Sequence, residues 1–154
     1  MSRIGNFMKL TSGFIFAMVP PYLVDVMWKD IEPILIRVVD CSHGELSCEG
    51  VKRRAKAGTT LLVVICKDDK IVAVNTGDIV EFDSGLRSFY IPITGGDFMD
   101  EWLVDSLEVA KALAKDFNCT ELRGISVRRG WLKALPKGWE PVSETIRFNL
   151  EVEQ

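Results

Sequence analysis

The sequence predicts one α/β domain with a mixed, mostly antiparallel central sheet and helices on both faces. Two β-rich runs, 60–66 and 71–80, are joined by a short polar stretch that is typical of a hairpin. The stretch 103–117 carries apolar residues at helical spacing, and a further β-rich run follows it at 121–127. An antiparallel meander that leads into a strand–helix–strand crossover indicates a sheet of this mixed kind.

The elements before and inside the meander follow from local signals. Residues 14–19 predict a first strand, and Pro21 suits the start of a helix that extends through Val39. Because Pro33 lies inside that run, we expect it to kink or split the helix. Ser47 is the expected N-cap of a short basic helix that Gly58 ends, and 87–93 is the third meander strand.

After the long helix, three more signals complete the order. Asn118 suits a left-handed position at the end of that helix, and 130–135 predicts a short helix that stops at Pro136. Residues 143–152 predict a last strand, since apolar and polar residues alternate there. We assign 14–154 to a single domain and 1–13 to an N-terminal leader or arm.

Composition excludes several classes of function. The chain has 22 acidic and 19 basic residues and a net charge of −3, so general nucleic-acid binding is not expected. Its first apolar run, 14–19, is far shorter than the ~20 residues of a membrane span. Cys41, His43 and Cys48 lie close in sequence but lack a fourth partner, so no metal site is predicted. The four cysteines show no Cys-x-x-Cys spacing and are expected to be reduced, as in a cytoplasm.

Several blocks carry a resemblance. They are GGDFMDEWL (95–103), NCTEL (118–122) and RRGWLKAL (128–135), together with VPP (19–21) before a helix that contains Trp28. The chain resembles small proteins with the GNAT (N-acetyltransferase) fold that are encoded by tailed bacteriophages, some of them among virion genes. The resemblance covers the chain from about residue 14 onward. It implies the GNAT fold, and a location first in the host cytoplasm and then in the virion.

The same resemblance raises the question of acetyl-CoA. GNAT enzymes bind the pyrophosphate of coenzyme A through Arg/Gln-x-x-Gly-x-Gly/Ala between a strand and a helix. Here neither register fits, because Gly95 as first glycine puts Asp97 at the second, and Gly96 as second puts Thr94 at the first. Four acids follow at the expected helix start, where they favour the helix dipole and repel an anion: Asp97, Asp100, Glu101 and Asp105. Gly95 and Gly96 are cofactor-binding candidates only if the chain is an enzyme.

No catalytic residue is assigned. Acetyl transfer needs a base and often a tyrosine-like acid, and the region after the penultimate strand offers Trp131 instead. Tyr22 and Tyr90 lie elsewhere in the chain. Glu81 and Asp83 are more simply explained as solvated carboxylates at a turn.

A basic run with an interleaved tryptophan is the candidate partner-binding surface: Arg128, Arg129, Trp131 and Lys133. Arginine and tryptophan are common anchors of protein interfaces. The same pattern suits single-stranded nucleic acid, or a buried Trp131 and Trp139 flanked by solvated charges.

These observations give a first hypothesis and an alternative. The first is a non-catalytic GNAT-fold phage protein without cofactor, a virion structural or assembly component that contacts other virion proteins or its own copies. The alternative is an acetyl-CoA-dependent N-acetyltransferase that modifies a host or phage protein. A nucleic-acid-binding accessory protein is a third and weaker reading.

Overall fold

In the part of the chain that the structure describes, six strands lie side by side in the order in which they occur in the sequence. The computed structural model describes residues 7–9, 13–125 and 131–152. The strands are β1 (Phe7–Lys9), β2 (Ile15–Val19), β3 (Leu61–Lys67), β4 (Lys70–Glu81), β5 (Arg87–Gly96) and β6 (Glu121–Gly124). All neighbours are antiparallel except β5 and β6, which are parallel. The predicted mixed, mostly antiparallel sheet is confirmed.

The helices occupy the connections between these strands. A 3₁₀ turn, Pro21–Leu23, leads into α1 (Val24–Val39), and α2 (Cys48–Ala57), α3 (Met99–Asp116) and the short α4 (Trp131–Ala134) follow. Pro33 lies inside α1 and does not split it. Within the described ranges, no helix is long and apolar enough to cross a membrane.

The two faces of the sheet bury different helices. Alternate residues of β3 show this directly, since Leu62 and Val64 pack with α1 and α2 while Val63 and Ile65 pack with α3. Trp102 of α3 is fully buried in a cluster with Phe16 of β2 and with Phe14, which lies just before that strand. Because successive side chains of a strand point to opposite faces, the continuous apolar run in β3 indicates a strand covered on both sides.

The helix caps and the β3–β4 turn adopt the conformations that the sequence predicts. The Ser47 hydroxyl accepts a hydrogen bond from the Gly50 N–H at 3.0 Å, and Gly58 ends α2 in the left-handed region with φ of 78°. Asn118 follows α3 with φ of 59°. Asp68 and Asp69 form the two-residue β3–β4 turn, both with positive φ.

Three parts of the structure differ from the sequence-based expectations. Residues 141–149 form no regular structure and are exposed, so the predicted last strand is wrong, and a 3₁₀ turn, Leu150–Val152, closes the described residues. Alternation predicts a strand only where a neighbouring edge is available to pair with it. β5 runs on through Gly95 and Gly96, where a turn was expected. β1 lies inside the expected leader and pairs with β2, whereas 126–127 of the expected sixth strand lie outside the described residues.

The Ser47 cap gives a stability prediction. Replacing Ser47 with alanine removes the acceptor for the Gly50 N–H, which should lower the free energy of unfolding by about 1 kcal/mol in urea denaturation. Ser47→Asp is the matched control, because aspartate also caps and should retain most of the stability. Equal losses in both variants would show that the hydroxyl is not acting as a cap.

Candidate functional site

A β-bulge in the middle of β5 shapes the site. Thr76 pairs with Ile93 and Asp78 pairs with Tyr90, so that Gly77 alone faces two residues of β5. One of those two residues is Pro92, which has no N–H to give to a ladder and is tolerated in an interior strand only at such a bulge. A bulge bends its strand and increases the local twist. The proline therefore marks the point at which β5 changes direction.

The described pairing of β5 with β6 ends at this bulge. Their parallel pairing covers four residues, from Ser88 with Glu121 to Ile91 with Gly124. In the described part of the chain, no strand pairs with 92–96 on the β6 side. The Asp97 N–H donates to the Val72 carbonyl at 2.8 Å, so in an extended strand the N–H groups of Gly96 and Thr94 point the other way. This flank of β5, which the described residues leave without a strand partner, is called the wedge below.

A row of polar side chains crosses the sheet beside the wedge. Asp78, Tyr90 and Arg123 are direct neighbours on β4, β5 and β6, and paired residues present their side chains on one face. The Asp78 carboxylate accepts from the Thr60 hydroxyl at 2.7 Å. Arg123 bonds to Glu121 and lies 4.6 Å from the centre of the Phe82 ring.

The electrostatics of this row favour a protonated tyrosine and an ionised glutamate. Burial raises the pKa of the half-buried Tyr90, and the carboxylates of Glu45 and Asp78 add to the effect, against a smaller opposing effect of Arg123. The hydrogen bond from Arg123 holds the pKa of Glu121 below its usual value. Ser88 lies beside that carboxylate and also lowers its pKa, although its hydroxyl completes no hydrogen bond of ordinary geometry. The row can thus offer a hydroxyl donor next to negative charge.

The two glycines at the end of β5 are required for packing. A Cβ on Gly95 would lie 2.4 Å from a methyl group of Val38 in α1, so the missing side chain lets the helix approach the sheet. Gly96 has φ of 138°, and a Cβ there would lie 2.4 Å from the backbone of β4. Both positions need glycine because neighbouring parts of this chain occupy the space.

The turn after Gly96 is held from within. The fully buried Trp102 donates its indole N–H to the Asp97 carbonyl at 2.7 Å, and the Glu101 N–H donates to the Phe98 carbonyl at 2.9 Å. Phe98 has φ of 63°, which is unusual for an aromatic residue and makes the sharp entry into α3. This turn is anchored by the chain itself.

The charges at the turn are mainly negative. Asp97, Asp100 and Glu101 are exposed at the start of α3, where they favour the helix dipole and oppose a second anion. The two nearby cations already have partners. Arg37 lies 3.3 Å from the Asp97 carboxylate, and the Lys67 amine lies 4.3 Å from the centre of the Phe98 ring.

The predicted partner-binding run is only partly visible. Arg128 and Arg129 lie outside the described residues, as does the side chain of Trp131, which begins α4. Lys133 is exposed. Trp139 is half-buried against the α3 side of the core, in agreement with the interpretation of this tryptophan as a core residue.

The cysteines and the single histidine form no cluster. Cys41 is exposed and donates to the Arg37 carbonyl, while Cys48 begins α2, where burial and nearby carboxylates raise its pKa. Burial likewise raises the pKa of the Cys66 thiol. Across the described ranges, no three His, Cys, Asp or Glu side chains are arranged to hold a metal ion. Glu81 lies at the end of β4, 3.6 Å from Arg87, which suits a surface ion pair.

The shape of the chain was compared with solved structures. A predicted acetyltransferase from Clostridium acetobutylicum, solved with acetyl-CoA, matches with a TM-score of 0.62 and 12% identity over 90% of this chain and 97% of that one. A GCN5-related N-acetyltransferase from Ralstonia eutropha matches with a TM-score of 0.64 and 12% identity over 89% of this chain and 99% of that one. A GNAT family acetyltransferase from Staphylococcus aureus matches with a TM-score of 0.56 and 16% identity over 90% of this chain and 99% of that one. The fold is that of the GNAT acetyltransferases.

At these identities the similarity is one of fold alone. By sequence, no family model and no curated protein matches the chain. Within the GNAT fold, the β5–α3 junction is the place expected for the coenzyme A pyrophosphate. Here Val38 and β4 occupy the space beside its two glycines, and the start of α3 is acidic. The junction does not fit a pyrophosphate.

The polar row is the part of the site that the sequence analysis missed. The sequence pattern points away from Tyr90, because this residue does not follow the penultimate strand. The signal that could have found it is Pro92, since a proline inside a strand pattern indicates a bulge. Its partners Asp78 and Arg123 come from strands 12 and 33 residues away in sequence, so only the register of the sheet brings them together.

The packing role of Gly95 can be tested by a double-mutant cycle. Gly95→Ala should lower the free energy of unfolding by about 1–3 kcal/mol, because its Cβ overlaps Val38. Val38→Ala removes the overlapping methyl groups, so the second substitution should cost less in the Gly95→Ala background than in the parent. Strictly additive effects in urea denaturation would contradict the proposed contact.

Tyr90 should make the fold sensitive to alkali. Its folded pKa is raised, so the folded state binds the phenolic proton more tightly than the unfolded state does. This contribution is present below pH ~10 and is lost as the pH rises through the folded pKa. Tyr90→Phe, which cannot ionise, should therefore lose less stability than the parent between about pH 9 and 11 in urea denaturation. Identical pH profiles would show that the phenol is not perturbed.

Proposed function

We propose that this chain is a non-catalytic GNAT-fold protein that acts through protein contacts, as a structural or assembly component of a tailed-phage particle. The observation that carries the proposal is the use of Gly95 and Gly96 for packing against Val38 and β4. In a pyrophosphate loop, glycines leave room for a ligand to approach the backbone. Here Val38 and β4 already occupy the space that the missing side chains leave.

The charge at the junction supports this proposal independently. Three exposed carboxylates stand at the helix start, and one of the two adjacent cations, Arg37, is bonded to Asp97. A pyrophosphate would have to displace that ion pair and remain close to the other acids. The Coulomb repulsion between like charges at ~4 Å is about 1 kcal/mol even in water and larger near a protein surface.

Exposed apolar side chains supply surface for contacts. Tyr22, Val26 and Ile36 lie on the outer side of α1 and its leading turn. The exposed Lys133 belongs to the basic run that the sequence analysis assigned to a partner.

The phage context rests on the sequence resemblance alone. It suggests other virion proteins, or further copies of this chain, as partners, with the protein in the host cytoplasm during assembly and then in the particle. Mass spectrometry of purified particles of the phage that encodes this chain tests this part. Its peptides should be present in constant ratio to the major capsid protein, and their absence would reject the virion role.

Calorimetric titration with acetyl-CoA at low salt tests the absence of a cofactor. We expect no saturable heat, with any dissociation constant weaker than ~100 µM, or roughly −5.5 kcal/mol. A GNAT enzyme that binds acetyl-CoA serves as positive control. Two features oppose coenzyme A, the negative charge and the packed glycines. The triple variant Asp97→Asn, Asp100→Asn, Glu101→Gln separates them, because it removes the charge and leaves both glycines packed. Tight binding by the parent would overturn the proposal.

The alternative function is an acetyl-CoA-dependent N-acetyltransferase acting on a host or phage protein. Two observations favour it, the flank of β5 that the described residues leave unpaired beyond Ile91 and the protonated Tyr90 next to it. The neighbour solved with acetyl-CoA fits the same reading. Incubation of the protein with radiolabelled acetyl-CoA and a proteome extract would then label proteins, and Tyr90→Phe should reduce labelling without unfolding the chain. No labelling above a heat-inactivated control would remove this alternative.

A further inference from the structure

The outer side of α2 is basic. The charged residues of this helix are four bases and one acid: Lys52, Arg53, Arg54, Lys56 and Glu49. Arg53 and Lys56 are exposed, because the helix turns Val51 and Ala55 toward the core. Among the residues that the structure describes, the Arg53 guanidinium forms no ion pair. A free positive charge therefore stands on this side of the molecule.

Exposed apolar side chains lie next to this basic helix. The Asp25 carboxylate of α1 lies 2.8 Å from the Lys56 amine and 3.7 Å from the Lys52 amine, which holds the start of α1 against α2. Tyr22 and Val26, on either side of Asp25 in sequence, are exposed by 80% and 67%. The basic patch is defined here as Tyr22, Val26, Arg53 and Lys56.

The start of α3 carries a surface of the opposite charge. Asp100, Glu101 and Val104 are all exposed. Because residues three and four apart are neighbours on a helix surface, the two carboxylates flank the Val104 side chain. Within the described ranges, neither carboxylate forms an ion pair. These three residues are called the acidic patch.

The two patches lie on opposite faces of the sheet. α1 and α2 pack on the face of Leu62 and Val64, whereas α3 packs on the face of Val63 and Ile65. One chain therefore cannot place its own basic patch against its own acidic patch. A second copy can, and the contact leaves one unused patch at each end of the pair. Heterologous contacts of this kind continue into a ring or a filament.

We propose that copies of this chain associate head to tail, with the basic patch of one copy on the acidic patch of the next. Opposite charges orient the encounter, while Tyr22, Val26 and Val104 supply an apolar centre. The net charge of −3 is small, so repulsion between whole molecules is weak. The inference rests on the proposed assembly role and names further copies of the chain as the partner.

Charge reversal at each patch tests the contact by sedimentation velocity. The parent should form species larger than a dimer as its concentration rises. Arg53→Glu with Lys56→Glu makes both patches acidic, and Asp100→Lys with Glu101→Lys makes both basic. Each variant alone should have a dissociation constant between copies raised ~tenfold or more. An equimolar mixture of the two should assemble again, because each contact then joins opposite charges.

A matched control and a change of salt separate this contact from general charge effects. Lys115→Glu with Lys137→Glu changes the net charge as much as the basic-patch variant does, at exposed residues outside both patches, and should assemble like the parent. Raising the salt concentration from about 0.1 M to about 1 M shortens the screening length from about 10 Å to about 3 Å. The assemblies of the parent should then dissociate.

A parent that stays monomeric at every concentration would overturn the head-to-tail contact. Patch variants that assemble separately as well as the parent does, or a mixture of them that stays monomeric, would overturn it too. Circular dichroism checks that each variant is folded. Mass spectrometry of purified particles decides the proposed function separately, because the chain can belong to a particle without making this contact.

Discussion

The bulge in β5 is the constraint on which the arrangement of the site depends. Pro92 cannot join a regular ladder, so β5 must carry an extra residue opposite Gly77 and bend there. Gly77 is needed for a second reason, because a Cβ on it would lie 2.3 Å from the ring of the buried Phe89. The register of the three strands then places Tyr90 in line with Asp78 and Arg123.

The junction at the end of β5 has the shape of the GNAT fold but contacts that oppose an anion. Val38 of α1 and the backbone of β4 fill the space over Gly95 and Gly96. Trp102 then fixes the turn through the Asp97 carbonyl, and the acids of α3 stabilise the helix start. Each of these interactions stabilises the fold, and each also opposes an anion at the same place. Fold and activity are therefore separable here, and it is the contacts of particular residues that bear on activity.

Most of the fold could be predicted from the sequence because its signals are local. The Ser47 cap, the left-handed Gly58 and Asn118, the Asp68–Asp69 turn and the apolar stripe of α3 are each readable within a few residues. The missed parts depend on distant residues. The polar row needs the register of three strands, and the packing role of Gly95 needs α1 to lie over it. The last strand failed for the same reason, since alternation describes two faces but does not supply a partner edge.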